Sequence, residues 1–200
     1  RDDISTAVLV SPVVDEEHAT LPEQALRFVL STLRESFHLA MTALSAYLLC
    51  GVLYFLEVLP HMMRYRMTER VPLASARLLL IRGEHDRPSP RRFHSRLVAV
   101  ARSARRWEID GAAHSIINGH AVGVARLILS HSDDDLAARG RLSSAEAAVP
   151  PARQADVRMV LAALGSRVAE WISARRHDEA GVERAKARHA RLLWRAYVGR

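Results

Sequence analysis

The sequence is poor in cysteine: Cys50 stands alone. One thiol excludes an intrachain disulfide framework and a thiolate metal cage. A reducing compartment is the simpler expectation, so the chain is expected to be cytoplasmic. Lysine is as scarce, with Lys186 against 28 arginines. That imbalance reads as coding bias in a GC-rich genome, not as recognition chemistry. The 10 histidines form no H-x-x-x-H or H-E-x-x-H pattern, so no metal is expected, and no cofactor. No internal repeat occurs. The chain starts at Arg1 and nothing near its start has the apolar core of a signal peptide. A processed, trimmed or incomplete chain is expected.

What is present suits one globular domain, or one domain with an extension: 200 residues, 49% hydrophobic, with a mean hydropathy near neutral. The net charge of +7 is uneven. Residues 151–200 carry 11 Arg/Lys against 5 Asp/Glu, whereas residues 1–150 carry 18 against 17. A near-neutral body argues against nucleic acid as a partner. The basic C-terminal helices read first as solvated faces, and second as a surface for a polyanion or an anionic membrane. Trp171 and Trp194 are candidates to anchor those helices by packing.

Strand and helix patterns alternate along the chain. Ala7 to Val10 is a short apolar strand ending at Ser11-Pro12. Thr20 and Glu23 have capping-box spacing ahead of a helix over about 22–35, with Leu26, Val29, Leu30 and Leu33 on its apolar side. Residues 39–56 carry no charge. By length they approach a membrane span, but polar Thr42, Ser45 and Tyr47 dilute them and buried or lid helices are expected instead. Met62, Met63 and Met67 follow, as adaptable packing or as the lining of an apolar acyl pocket. "ARLLLIRG" (76–83) is a continuous apolar strand, as parallel strands covered on both faces tend to be. Ser89-Pro90 starts a helix running to about Ala104, with Phe93, Leu97, Val98 and Ala101 inward. A strand from 105 stops at Gly111, and a further helix covers 119–131. This order predicts a parallel βαβ arrangement. Residues 132–152 are small, polar and closed by Pro150-Pro151, so they read as a linker. Val157, Val160, Leu161, Leu164, Val168, Trp171 and Ile172 then fall at helical spacing, and a second basic helix is expected over about 179–197.

The chemistry lies past the two core strands. In open α/β sheets functional groups gather beyond the carboxyl ends of the strands. Asp86 follows one strand and His114 the next, with one helix between them. Adjacent parallel strands would bring both to one edge, where a carboxylate can orient an imidazole and support the charge it gains as a base. Glu84 and His85 beside Asp86 read as a strand-end charge and a loop histidine.

"PLASARLLLIRGEHDRPSP" followed by "WEIDGAAHSIINGHAVGVARLIL" resembles the last two strands and final helix of the α/β-hydrolase superfamily. In that family a G-x-x-D loop carries the triad acid, matched here by Gly83-Glu84-His85-Asp86. The catalytic histidine follows a G-x-x-H turn, matched by Gly111-Ala112-Ala113-His114. "AVLVSP" is similar to the strand after the nucleophile helix. The resemblance implies a partial α/β-hydrolase fold over residues 1–131, with a helical cap over about 21–70, the linker at 132–152 and a basic helical extension over 153–200. It implies a hydrolase of an ester, thioester or amide bond, acting on a small molecule with an apolar acyl group, with Asp86 and His114 in the triad.

The departure from the family is equally plain. No G-x-S-x-G nucleophile elbow occurs; the nearest pattern, Gly119 to Gly123, holds Ala121 and falls after the histidine. The nucleophile is therefore expected upstream of residue 1. It is a serine, or an aspartate as in dehalogenase-type relatives, which would use the same His114. Within the chain Ser11 is a poor elbow because Pro12 follows it, Ser115 is the neighbour of His114, and Cys50 lies in an apolar run and is expected to pack. The alternatives are a non-catalytic truncated remnant, acting as a binding protein if at all, and a membrane-associated helical protein built on residues 39–56.

Overall fold

A computed structural model describes residues 4–148 and 157–194. These fall into two compact units, residues 1–35 with 61–150 and residues 36–60 with 151–200.

The first unit is built on a four-stranded parallel sheet, β1 (Thr6–Val10), β2 (Arg77–Gly83), β3 (Ala104–Ile109) and β4 (Arg139–Leu142), in that spatial order. Its helices are α1 (Leu21–Thr32), α4 (Met67–Arg70), α5 (Arg91–Val100), α6 (Ile116–Ser132) and α7 (Ser144–Ala147). β2 is apolar on both sides because both faces are covered. Leu78 and Leu80 pack with Phe93 and Leu97 of α5, while Leu79 and Ile81 pack with Ile109 and with Ile116, Val124 and Leu127 of α6. Consecutive residues of one strand feed opposite layers, so an α/β core forms from a run that shows no alternation. Met67 packs into the α5-side cluster, as core filler.

The second unit contains α2 (Phe37–Cys50), most of α3 (Val52–Arg64), α8 (Val157–Arg175) and α9 (Glu179–Leu193). α2 starts where the Ser36 side chain accepts from Leu39 N–H and stops at Gly51, whose φ of +98° an L side chain resists. α2 and α3 meet there at 104°; among the described residues no single helix is long and apolar enough to cross a membrane.

Several expectations change. Residues 139–142, expected inside a linker, form β4. Its one apolar residue, Leu142, is buried in the α6-side core. Gly140 lies under Trp107, where a Cβ would come within 2.5 Å of the indole ring. The expected cap over 21–70 is divided, since α1 and residues 61–70 belong to the sheet unit while 36–60 cluster with the C-terminal helices. The latter pairing has a physical basis: α2 buries Ser45 and Leu49, α8 buries Ala163 and Ser166, and Arg167 Nε donates to Leu48 O at 2.8 Å. Small residues allow close helix approach, so α8 buries these and leaves Leu161, Val168 and Trp171 exposed. Trp194 is exposed too, and Trp171 is stacked by Arg175 at 4.0 Å. Cys50 is exposed rather than packed. The second basic helix is described to Trp194; its expected end at 197 lies outside the described residues, as does the Pro150-Pro151 pair.

α1 is rotated from its expected orientation. Gln24 and Ser31 are buried, whereas Leu26, Val29 and Leu33 are exposed. Polar anchors turn it: Gln24 donates to His18 O and Ser31 to His85 O. Thr20 makes no side-chain cap; Glu23 pairs instead with His18 at 2.6 Å and Arg27 at 3.1 Å.

Candidate active site

The loop after β2 and the loop after β3 are tied together. Glu84 N–H donates to Ile109 O at 3.0 Å and His85 N–H to Ala112 O at 2.8 Å. Gly83 is required by the closeness of this crossing, since a Cβ there would lie 2.2 Å from Ala113 O and 2.4 Å from Ala112 O. Gly111 supplies the turn with φ +70°. Its N–H donates to Glu84 Oε2 at 3.0 Å, and Arg141 donates to Oε1 at 3.1 Å. The Gly111 amide, then Arg141, hold the Glu84 carboxyl below its usual range. Glu84 is thus a loop clamp.

This stitching brings Asp86 and His114 together: His114 Nδ1 lies 2.9 Å from Asp86 Oδ1. Asp86 is 1% exposed. Its Oδ1 also accepts from Ser89 N–H at 3.0 Å, and Oδ2 has no hydrogen-bond partner. A carboxylate oxygen that accepts both bonds requires the proton on His114 Nδ1, which leaves a lone pair on Nε2. No group among the described residues bonds that nitrogen. Phe28 meets the ring edge-on at 6.1 Å, and Glu35 Oε1 accepts from Ser115 N–H at 2.9 Å. The imidazole is held on its Asp86 side and open on the other.

Ser11 also ends a strand. It has φ +48°, and its buried Oγ has no partner, so it is not engaged by His114. Ser115 is the N-cap residue of α6, where its side chain makes no cap hydrogen bond and its N–H donates to Glu35. A cleft of about 370 Å³ lies beside the β2 loop, lined by Arg27, Arg34, Glu84, His85, Asp86 and Arg87 among others; His114 does not line it. Met62 and Met63 do not line it, so the expected apolar acyl pocket has no counterpart there.

Sequence reasoning missed the groups that position Asp86. Arg82 is buried and donates to Asp86 O at 3.1 Å and to Ser89 O at 3.1 Å. Ser89 was visible only as a helix start. Burial pushes the Arg82 guanidinium down, and the nearby Glu108 and Asp86 offset this only in part. Burial pushes Glu108 up, but Arg91 and Arg82 outweigh it and hold that carboxyl below its usual range. Among the described residues no cluster of His, Cys, Asp and Glu could hold a metal ion.

Comparison with family models, with curated proteins and with solved structures finds no match. The resemblance to α/β-hydrolases rests on the residues themselves.

Proposed function

We propose that this chain carries the acid and the base of an α/β-hydrolase-type acyl hydrolase whose nucleophile lies upstream of residue 1. The observation that carries this reading is the 2.9 Å contact between His114 Nδ1 and the buried Asp86, from the tips of adjacent parallel strands. In this mechanism the nucleophile's oxygen attacks the carbonyl carbon of an ester, thioester or amide. His114 Nε2 takes its proton and returns it to the leaving group. A water then releases the acyl group with the same base. Asp86 orients the ring and balances the imidazolium.

A second reading, a non-catalytic remnant that binds rather than turns over, is favoured by the lack of any group on His114 Nε2 among the described residues. One experiment separates the two. The coding sequence upstream of Arg1 is read in frame, and the longer protein is assayed on a panel of activated esters with His114→Ala and Asp86→Asn. An upstream G-x-S-x-G and loss of turnover in His114→Ala support the hydrolase. The absence of an elbow, or unchanged turnover in His114→Ala, overturns it.

A further inference from the structure

On the α5 face of the sheet, β2, β3 and β4 line up charged residues across the strands. The register sets Arg82 beside Glu108 and Glu108 beside Arg141; one step back it sets Arg106 beside Arg139. With Arg91 and His94 of α5 these residues line a cleft of about 300 Å³. Five guanidinium groups face one carboxylate there. Glu108 is already shared by Arg82, Arg91 and Arg141. Arg106 donates only to Ser95 Oγ, and Arg139 has no ion pair or hydrogen bond among the described residues. Two like charges directly opposite on adjacent strands are unfavourable unless an anion lies between them.

A second, independent feature points to a ligand. His94 is 0% exposed, and its Nδ1 has no hydrogen-bond partner. Hydrogen-bond counting fixes its tautomer. The Ser89 hydroxyl has one proton and gives it to Pro12 O at 2.5 Å. His94 Nε2, 2.9 Å from that hydroxyl, must therefore be the donor. Nδ1 is left as an acceptor in a buried position, which is unfavourable unless a donor reaches it. Burial, with Arg82 beside it, pushes the imidazole down to about 4, so it stays neutral and keeps that lone pair.

We propose that this cleft binds a small phosphate-bearing ligand, its anionic oxygens on Arg106 and Arg139 and a hydroxyl or N–H of the ligand on His94 Nδ1. Guanidinium forks suit phosphate oxygens, and a dianion answers two unpaired cations better than a single carboxylate does. The volume fits a small molecule at the lower end of ligand cavities. The site uses neither Asp86 nor His114, so it stands or falls apart from the hydrolase reading.

The test is a calorimetric titration of the 200-residue chain at pH 7 with inorganic pyrophosphate, with citrate as the carboxylate control. One saturable site is expected, with affinity falling about tenfold in Arg106→Gln or Arg139→Gln and about a hundredfold in the double variant. Both positions lie at or near the surface, so these variants are expected to fold. His94→Gln keeps a donor for Ser89 but removes the Nδ1 acceptor, and is expected to weaken binding as well. His114→Ala is expected to bind as the parent chain does. Absence of saturable binding, equal affinity in the double variant, or citrate binding as tightly as pyrophosphate overturns the proposal.

Discussion

His94 makes the stability of the sheet unit sensitive to mild acid. Its ring is fully buried between α5 and the sheet. Burial and the adjacent Arg82 and Arg106 disfavour its charged form more than Asp86 and Glu108 favour it, so its pKa falls from 6.5 to about 4. The sign follows from which state holds more protons. Between these two values the unfolded chain protonates His94 and the folded chain does not. Stability therefore rises with pH across this window and is lost as pH falls from about 6.5 towards 4. Each pKa unit corresponds to about 1.4 kcal/mol, so the full shift is worth roughly 3 kcal/mol. The depressed carboxylates Glu84 and Glu108 act lower, below their ordinary value of 4.5. The assay is urea unfolding from pH 7 to pH 4, followed through Trp107 with Trp171 and Trp194 replaced by Phe. The chain with His94 is expected to lose roughly 3 kcal/mol more over this range than His94→Gln. His189 is shifted downward as well, but it is present in both proteins and cancels. Parallel pH profiles for the two would refute the reasoning.

Other perturbations test the supports of the candidate site. Gly83→Ala puts a Cβ against two backbone carbonyls that cannot move cheaply; a loss of about 2–3 kcal/mol in urea unfolding is expected, with displacement of His114 seen in its ring proton shifts. Glu108→Ala leaves Arg82 buried without its ion-pair partner and should cost about 3 kcal/mol, while Glu108→Gln, which keeps one acceptor, should cost less by the same measurement. Leu79→Ala empties a fully buried position in the α6-side core, with an expected loss of about 2–5 kcal/mol, whereas Leu53→Ala on the exposed face of α3 should change stability by less than about 0.5 kcal/mol in thermal unfolding.

What could be read from the sequence, and what could not, divides by the range of the physics involved. β2 was legible because four apolar residues in a row can be satisfied only by two covered faces. Asp86 and His114 were legible because one helix between two strand ends sets their spacing and brings both to one edge of the sheet. Their supports were not legible. Arg82 reaches the Asp86 carbonyl only after β2 and its loop have folded back, and Ser89 offers its backbone N–H, which carries no residue signature. β4 escaped because a single buried leucine in "RGRL" has no periodicity, and the reason for Gly140 is an indole 33 positions earlier. α1 shows the reverse failure. Its apolar spacing is real, but Gln24 and Ser31 each find a carbonyl to bond, and these directional contacts set the rotation of the helix.

The same distinction bears on how the two loops work. The Asp86–His114 contact is a product of backbone closeness, because Gly83 lets the 112–113 segment cross within van der Waals reach of β2. Side-chain charge then holds that crossing: Glu84 clamps the Gly111 amide, Arg141 clamps Glu84, and Glu108 binds Arg82, which carries the Asp86 carbonyl. Arg82 and Arg141 also line the cationic cleft on the α5 face. A charge change there is transmitted to the acid–base pair through two side chains rather than through the core. Glu108→Ala should therefore lengthen or break the His114–Asp86 contact even where the fold survives, whereas Leu79→Ala should destabilise the sheet and leave that contact intact in the folded molecules. The Nδ1–H proton resonance of His114 distinguishes the two outcomes, and an unchanged resonance in folded Glu108→Ala would show that backbone packing alone sets the pair.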